Sequence, residues 1–242
     1  MWSSIWHNFF FDPVYNTLVF FIDIIPGGDV GLAIIATVLL VKTVLLPLSI
    51  KAVKTQKIIR EIEPKLKELK EKYKNDRQQQ AQAMMEIYKE AGINPLASVA
   101  LMFIQIPIII ALYLAVYKGG GVALPSINLD VLYSFIAAPT AVTMDFLGLI
   151  NITEKSLLLA LGAGITQYIH VNLTMPALPP KVEGAEPNFK EDFMRNMQLQ
   201  MKYVMPVLIT LVAYSISAAI ALYFFVSNVV TIAQEYLIRK HR

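Results

Sequence analysis

Long uncharged stretches alternate with polar segments along this chain. Residues 30–50 carry no charged side chain except Lys42, and residues 91–117 and 156–173 carry none. A helix needs about 20 mainly apolar residues to cross the hydrocarbon core of a bilayer. The pattern therefore predicts an integral membrane protein of the all-α class.

The last uncharged stretch, residues 203–234, is too long for a single span. As one helix it would measure ~48 Å at ~1.5 Å per residue, whereas the hydrocarbon core is about 30 Å thick. Two short spans joined near residues 214–217 fit the bilayer better. We therefore predict five transmembrane helices, at residues 30–51, 95–117, 155–174, 203–216 and 217–237.

The basic residues orient these spans. Residues 1–29 contain no lysine or arginine, whereas residues 51–89 contain eleven and residues 176–202 contain four. Basic loops favour the cytoplasmic side of a membrane. We therefore predict an outside N-terminus, an outer loop at 118–154, a cytoplasmic loop at 175–202, and a short basic cytoplasmic tail at 238–242.

The N-terminal region is rich in aromatic residues, but charged residues and a proline interrupt its apolar stretch. Residues 9–25 contain Asp12, Pro13 and Asp23 among aromatic and aliphatic side chains. Aromatic rings favour the headgroup level of a bilayer, so we predict that residues 1–29 form an outer interfacial amphipathic helix. An additional span is the alternative, but it would invert the charge pattern unless the N-terminus began inside.

The polar segment 52–94 carries two helical stripes. Its first stripe has spacings of four, three and four, which place its residues on one face of a helix: Ile62, Leu66, Leu69 and Tyr73. Pro64 suits the first turn of that helix, and a second stripe follows at residues 81–88. The segment is therefore predicted to form a charged cytoplasmic helical hairpin.

Composition narrows the possible chemistry. Of the 242 residues, 16% are charged and 56% are hydrophobic, whereas soluble domains usually carry about 25% charged residues. The chain has no cysteine, which excludes disulfides and thiolate metal sites. Its three histidines are far apart, and no carboxylate precedes Glu235 in the predicted spans. We expect no metal, no cofactor and no enzymatic activity, and a proton-coupled transporter is disfavoured.

Lys42 is the exception within the first span. It lies ~12 Å along the helix from the inner end at Ile50, and a charge at such a depth costs about 2.5–3.5 kcal/mol. A water-filled cavity between helices would offset that cost. Alternatively, the lysine snorkels or is satisfied by helix carbonyls.

Four segments of the chain carry a further signal: GLAIIATVLLVKTVLLPLSIKAVKTQ (31–56), KYKND (72–76), NPLASVALMFIQIPIIIALY (94–113) and LYFFVSNVVTIAQEYLI (222–238). In these segments the chain resembles the YidC-type membrane protein insertase family. In that family a positively charged residue, usually arginine, precedes a Leu-Pro-Leu element, and here Lys42 precedes Leu46-Pro47-Leu48. A large aromatic residue follows a Leu-Tyr pair in the last span, as Phe224 does here. A serine, Ser215 or Ser217, replaces the usual proline between the last two spans.

The resemblance implies a function and a set of residues. It implies an insertase that helps newly made membrane proteins enter, fold and assemble in a bacterial-type inner membrane, through a hydrophilic groove with a cationic residue. The groove residues would be Lys42, Thr37, Gln105, Gln167, Tyr223, Phe224 and Ser227.

The implied partners are nascent membrane-protein substrates and the lipid bilayer, with the ribosome and the Sec translocon as further candidates, and the chain would work as a monomer. The candidate ribosome or substrate contacts are Lys65, Lys67, Lys70 and Lys72, which could equally be a solvated face near anionic lipid. The alternative function is a small channel or transporter with an intramembrane lysine anion site.

Overall fold

The computed structural model describes residues 2–73, 76–94, 96–118, 121–174 and 196–240. These residues are mostly helical. The helices are α1 (Trp2–Trp6), α2 (Asp12–Ile24), α3 (Val30–Val44), α4 (Leu46–Lys72), α5 (Arg77–Glu90), α6 (Leu96–Tyr117), α7 (Leu157–Thr174), α8 (Asn196–Ile216) and α9 (Ala218–Lys240). The π-helical turns His7–Phe11 and Gln200–Val204 join α1 to α2 and interrupt α8.

Three of the described helices are long and apolar enough to cross a membrane: Leu157–Thr174, Asn196–Ile216 and Ala218–Ile238. The pair Val30–Val44 and Leu46–Leu69 counts as a fourth if the two helices form one broken span. The shorter apolar helix Phe103–Tyr117 lies within α6. The prediction of a mostly helical, multi-pass membrane protein is thereby confirmed, whereas the five-span layout stays a prediction.

The chain divides into two compact units. The first unit comprises Met1–Thr43 with Pro107–Leu237, and the second comprises Val44–Ile106 with Ile238–Arg242. The second unit is dominated by α4 and α5, which contact each other. Ala52 and Leu66 are buried in it, and i,i+4 ion pairs such as Lys67–Glu63 lie on its surface. Asp76 starts α5 by accepting hydrogen bonds from the N–H groups of Gln78 and Gln79.

Two prolines refine the sequence prediction for this region. A break at Leu45 separates α3 from α4 because Pro47, in the first turn of α4, lacks an N–H and its ring would clash with the preceding helical turn. The stretch 30–51 is therefore not one continuous helix. Pro64 lies inside α4 rather than in a first turn, so that prediction was wrong. Pro64 is exposed, and water can satisfy the carbonyl group that loses its helical donor.

The first unit is organised around a large buried apolar core. This core is formed by side chains from α2, α3, α6 and α9, with Leu124 and Ile152 added from the segment between α6 and α7. Its fully buried larger side chains include Tyr15, Leu18, Ile22, Ile34, Val116 and Leu222.

A close approach of α8 to α7 depends on Gly164. A Cβ at that position would overlap the Thr210 hydroxyl and lie 3.1 Å from the Pro206 carbonyl oxygen. Small residues at helix contacts are typical of membrane proteins, where packing has to replace the hydrophobic effect as the driving force.

Residues 121–156, called here the α6–α7 segment, pack across the starts of several helices. The segment contains a short antiparallel strand pair, β1 (Asp145–Phe146) and β2 (Ile150–Asn151), joined by a turn at residues 147–149. The all-α prediction missed this pair because strands of two residues leave no periodic signal.

The α6–α7 segment is fastened to α2 through a buried amide. The Asn16 side chain is 1% exposed. Its Nδ2 donates to the carbonyl oxygens of Asp12 at 2.8 Å and Val131 at 2.9 Å, and its Oδ1 accepts from the Tyr133 N–H at 2.7 Å. The neighbouring Tyr15 hydroxyl accepts from the Asn128 N–H at 2.8 Å.

The same segment completes the start of α3. One carboxylate oxygen of Asp29 accepts from the Leu32 N–H at 3.0 Å, and the other accepts from the Leu147 N–H at 2.8 Å. The Val30 N–H donates to the Thr143 carbonyl at 3.0 Å. Gly28 allows this contact, since it has φ +64° and a Cβ there would overlap the Ala141 carbonyl.

The turn between α8 and α9 is also closed by the α6–α7 segment. Ser217 is extended, and the N–H groups of Ala218 and Ala219 donate to the carbonyls of Glu154 at 2.6 Å and Ile152 at 2.9 Å. The first N–H groups of a helix have no partner within that helix. The segment therefore supplies acceptors that α9 cannot provide for itself.

We expect Asn16→Leu to loosen the α6–α7 segment. The substitution leaves the part-buried Val131 carbonyl and Tyr133 N–H without this partner, and each such loss costs about 1–3 kcal/mol. The free energy of unfolding should fall by about 2–6 kcal/mol on this basis, measured by denaturant titration in mixed micelles. Asn8→Leu is the matched control, because Asn8 is exposed. Equal unfolding midpoints for the two variants would contradict the role of the amide.

Candidate functional site

Lys42 on α3 reaches across to α9. Its Nζ donates to the Thr231 hydroxyl at 3.1 Å, and its backbone carbonyl accepts from Gln234 Nε2 at 3.5 Å. The side chain is half-buried. The ammonium group is therefore held by a hydroxyl of a neighbouring helix, rather than by the carbonyls of its own helix.

The α9 face that meets Lys42 carries a row of polar side chains at four-residue spacing. This polar row consists of Tyr223, Ser227, Thr231 and Glu235. Residues four apart stack on one face of a helix. The Tyr223 and Ser227 hydroxyls are hydrogen-bonded to each other, and the Thr231 hydroxyl donates to the Ser227 carbonyl at 2.8 Å. Lys42 thus joins a line of hydroxyl groups.

Within the described part of the chain, no carboxylate forms an ion pair with Lys42. Its hydrogen-bond partner is a neutral hydroxyl, the Thr231 side chain. A hydrogen bond from an ammonium group to a neutral hydroxyl is weaker than one to a carboxylate, which adds the attraction between opposite charges. An incoming carboxylate could consequently replace Thr231 as the partner with a gain in interaction energy.

Helix α7 brings further polar atoms to the same unit. Asn228 on α9 donates to the Ala163 carbonyl at 3.3 Å and to the Thr166 hydroxyl at 3.4 Å, which links the two helices. His170 also lies on α7. Its Nδ1 is buried, without a hydrogen-bond partner among the described residues.

The structure brings together only some of the residues that the sequence assigned to the groove. Tyr223 and Ser227 belong to the polar row beside Lys42. Thr37 is buried, and its hydroxyl donates to the Ala33 carbonyl of its own helix at 2.8 Å. Phe224 is half-buried with its ring edge-on to Tyr223, at 5.6 Å between centroids.

The two predicted glutamines lie in different units. Gln167 is half-buried on α7 of the first unit, and Gln105 is half-buried on α6 in the second unit. Sequence reasoning missed Thr231, Gln234, Asn228 and the buried Glu235. The four-residue spacing that continues from Ser227 would have found Thr231 and Glu235.

The predicted contact lysines lie on α4. Lys65, Lys67 and Lys72 are exposed, and the Lys70 side chain lies outside the described residues. Lys67 forms an ion pair with Glu63 at 3.1 Å, and Lys72 lies 5.3 Å from the centre of the Tyr73 ring. Of the loop predicted at 175–202, residues 175–195 also lie outside the described part.

Comparison with known proteins extends over nearly the whole chain. The family model described as "60Kd inner membrane protein" matches residues 21–242. Membrane protein insertase YidC 2 of Bacillus anthracis is 30% identical over 98% of this chain and 82% of its own length. Membrane protein insertase YidC of Oceanobacillus iheyensis is 30% identical over 98% of this chain and 85% of its own length. A YidC of Shewanella halifaxensis is 31% identical over 93% of this chain, which is 36% of that relative.

The resemblance drawn from the four sequence segments is thereby confirmed. The first two relatives match this chain across most of their own length as well as across most of its length. Together with a polar row and a lysine inside a multi-pass bundle, these matches show that the chain belongs to the YidC-type membrane protein insertase family.

Proposed function

We propose that this chain inserts newly made membrane proteins into the bilayer, and that Lys42 receives the polar tail of the substrate. One observation carries the proposal for the site: a half-buried lysine inside an apolar helix is held only by a neutral hydroxyl among the described residues. The class of activity follows from the family, whose curated relatives are named membrane protein insertases.

The first step is capture of an acidic substrate tail. Two unit charges ~4 Å apart attract by about 4 kcal/mol at an effective dielectric constant near 20. The Lys42 ammonium exchanges the Thr231 hydroxyl for a substrate carboxylate, and the hydroxyl remains bonded to the Ser227 carbonyl. Because the attraction is moderate, the tail can be released again.

The second step is passage along a polar surface. The polar row on α9 offers hydroxyl groups to a substrate backbone that would otherwise lose its hydrogen bonds to water. Thr37, Gln167 and Phe224, which lie in the first unit with this row, are proposed to complete the substrate groove. The apolar part of the substrate then leaves sideways into lipid.

The groove is proposed to be closed at the end covered by the α6–α7 segment. This segment hydrogen-bonds to the starts of α3 and α9 and to the buried Asn16 amide on α2. A polar path that begins near Lys42 would therefore stop at the segment. Such a one-sided path suits insertion and does not suit a channel.

We also propose the five-span arrangement with the N-terminus outside and the C-terminus in the cytoplasm. The broken α3–α4 helix would supply the first span, and α6, α7, α8 and α9 the others. Helix α2 lies on the outer interface in this arrangement. Its large apolar side chains Phe20 and Ile24 are exposed, and the preceding π-helical turn exposes Phe9 as well.

The α4–α5 pair would then lie in the cytoplasm as the helical hairpin. We propose that Lys65, Lys67, Lys70 and Lys72 contact the nascent chain, the ribosome or the Sec translocon, with a solvated face near anionic lipid as the competing role. A groove formed within one chain needs no second copy, so the chain is proposed to act as a monomer.

The Lys42 proposal is testable with purified protein in liposomes. Wild type should accelerate insertion of a small one- or two-span substrate with an acidic N-terminal tail. Lys42→Arg keeps the charge and should retain activity. Loss of even ~1.4 kcal/mol of attraction lowers a rate tenfold, so Lys42→Ala should be about tenfold slower and Lys42→Glu slower still.

Lys51→Ala is the matched control, because Lys51 is an exposed lysine on α4 and its loss should leave the rate unchanged. A substrate with a neutral tail should be less sensitive to the Lys42 variants. If Lys42→Ala inserted both substrates as fast as wild type does, the charge of Lys42 would have no role in insertion. Anion leakage without accelerated insertion would instead support the channel function.

The topology proposal is testable with single cysteines, since the chain has none of its own. Ser126 and Gln82 are exposed on the α6–α7 segment and on α5. In intact spheroplasts, an impermeant maleimide should label Ser126→Cys at once and Gln82→Cys only after the membrane is opened. Labelling of both variants from the same side would overturn the arrangement.

A further inference from the structure

The turn between β1 and β2 presents leucines outward. Leu147 is 59% exposed and Leu149 is 84% exposed, with Gly148 between them. The base of the strand pair is polar, since Asn151 Nδ2 donates to the Asp145 carboxylate at 3.1 Å. The strand pair therefore has a polar base and an apolar tip, residues 147–149.

The backbone geometry does not explain the leucines at this tip. Leu147 has φ +53°, a conformation that favours glycine, asparagine or aspartate. Polar residues and glycine also dominate tight turns in water. A leucine in this conformation carries a conformational cost, and its side chain does not recover that cost by burial within the chain. The cost points to a contact outside the chain.

The tip is held in a fixed place by the start of α3. The Leu147 N–H donates to the buried Asp29 carboxylate, which also accepts from the Leu32 N–H in the first turn of α3. Phe146 packs directly on Gly31, where a Cβ would overlap its ring. The tip therefore lies beside the end of a membrane-crossing helix, which is the level of the headgroups and upper acyl chains.

The exposed apolar surface resumes at the start of helix α7. Strand β2 ends at Asn151, and a short connection leads to Leu157 and Leu158 at the start of α7, which are 58% and 73% exposed. The lipid-facing side of α7 continues at Ile165, which is 61% exposed. The tip and α7 thus present exposed apolar side chains on either side of this short connection.

We propose that the 147–149 tip inserts into the adjacent bilayer leaflet and anchors the α6–α7 segment to lipid. The occupant of this apolar surface is the headgroup and upper acyl-chain region, where side chains of this kind are stabilised by burial. The anchor holds the segment at a fixed depth over the ends of α3 and α9. It acts independently of the Lys42 site and of any substrate.

The proposal is tested by the depth of a fluorophore in purified, reconstituted protein. Leu149→Cys, Gln82→Cys and Ile165→Cys are each labelled with NBD in vesicles of phosphatidylethanolamine and phosphatidylglycerol. Gln82 on the polar helix α5 is the aqueous reference, and Ile165 is the lipid reference. Quenching is measured with a spin label high on the acyl chain, a spin label deep on the chain, and aqueous iodide.

At position 149 we expect several-fold stronger quenching by the shallow spin label than at position 82, and several-fold weaker quenching by iodide. The deep label should quench position 165 more strongly than position 149. Leu147→Cys should repeat the result from the other side of Gly148. If position 149 matches position 82 with all three quenchers, the tip lies in water and the proposal fails.

The same quenching experiment distinguishes lipid from protein as the occupant of the tip. The protein could be a second copy of the chain or a different protein. Protein cover would protect position 149 from both iodide and the shallow spin label, which would overturn the proposal. Dilution of the protein in the vesicles should leave the quenching unchanged if lipid is the occupant. Quenching that changes with protein density would show contact between copies instead.

Discussion

The constraint on which this structure depends is the need to satisfy the backbone groups at the ends of helices next to a hydrocarbon phase. Each unpaired N–H or carbonyl group there costs several kcal/mol because lipid offers no partner. The α6–α7 segment meets this need at the starts of α3 and α9 and beside α2. Its backbone carbonyls accept from the first N–H groups of α3 and α9. In return, the Asp29 carboxylate at the start of α3 and the Asn16 amide on α2 bind backbone groups of the segment. A segment without an α-helix of its own thus fixes the positions of helices that are far apart in the sequence.

The same need for hydrogen-bond partners applies to the polar side chains inside the helices. Thr37 and Thr166 donate to carbonyls of their own helices, and Asn228 bridges from α9 to α7. These groups have hydrogen-bond partners on their own or a neighbouring helix, and a structural role in packing is enough to account for them. Lys42 differs, because the hydrogen-bond partner of its ammonium group is a neutral hydroxyl on another helix. Since packing alone would be served better by an apolar residue, the lysine is the group for which a functional explanation is most needed.

The sequence predicted the features that follow from local pattern. Uncharged stretches revealed the apolar helices, and Lys42 was conspicuous because it interrupts one of them. Pro47 could have located the break at Leu45, but the apolar run continues across it and hid the break. The partner of Lys42 could not be predicted, because Thr231 lies 189 residues away and the pairing depends on the register between α3 and α9. The contacts of the α6–α7 segment are equally non-local and have no periodicity.

The geometry around Lys42 gives a reason for a lysine at this position. An arginine side chain presents five donors in a rigid plane and needs several acceptors, whereas an ammonium group needs fewer and can rotate among them. Here the described acceptor is one hydroxyl, already engaged with the Ser227 carbonyl. An arginine here would keep the charge that attracts the substrate tail, although its five donors would not all find acceptors among the described residues. The site suits a compact, mobile cation that can leave Thr231 for a substrate carboxylate and return to it afterwards.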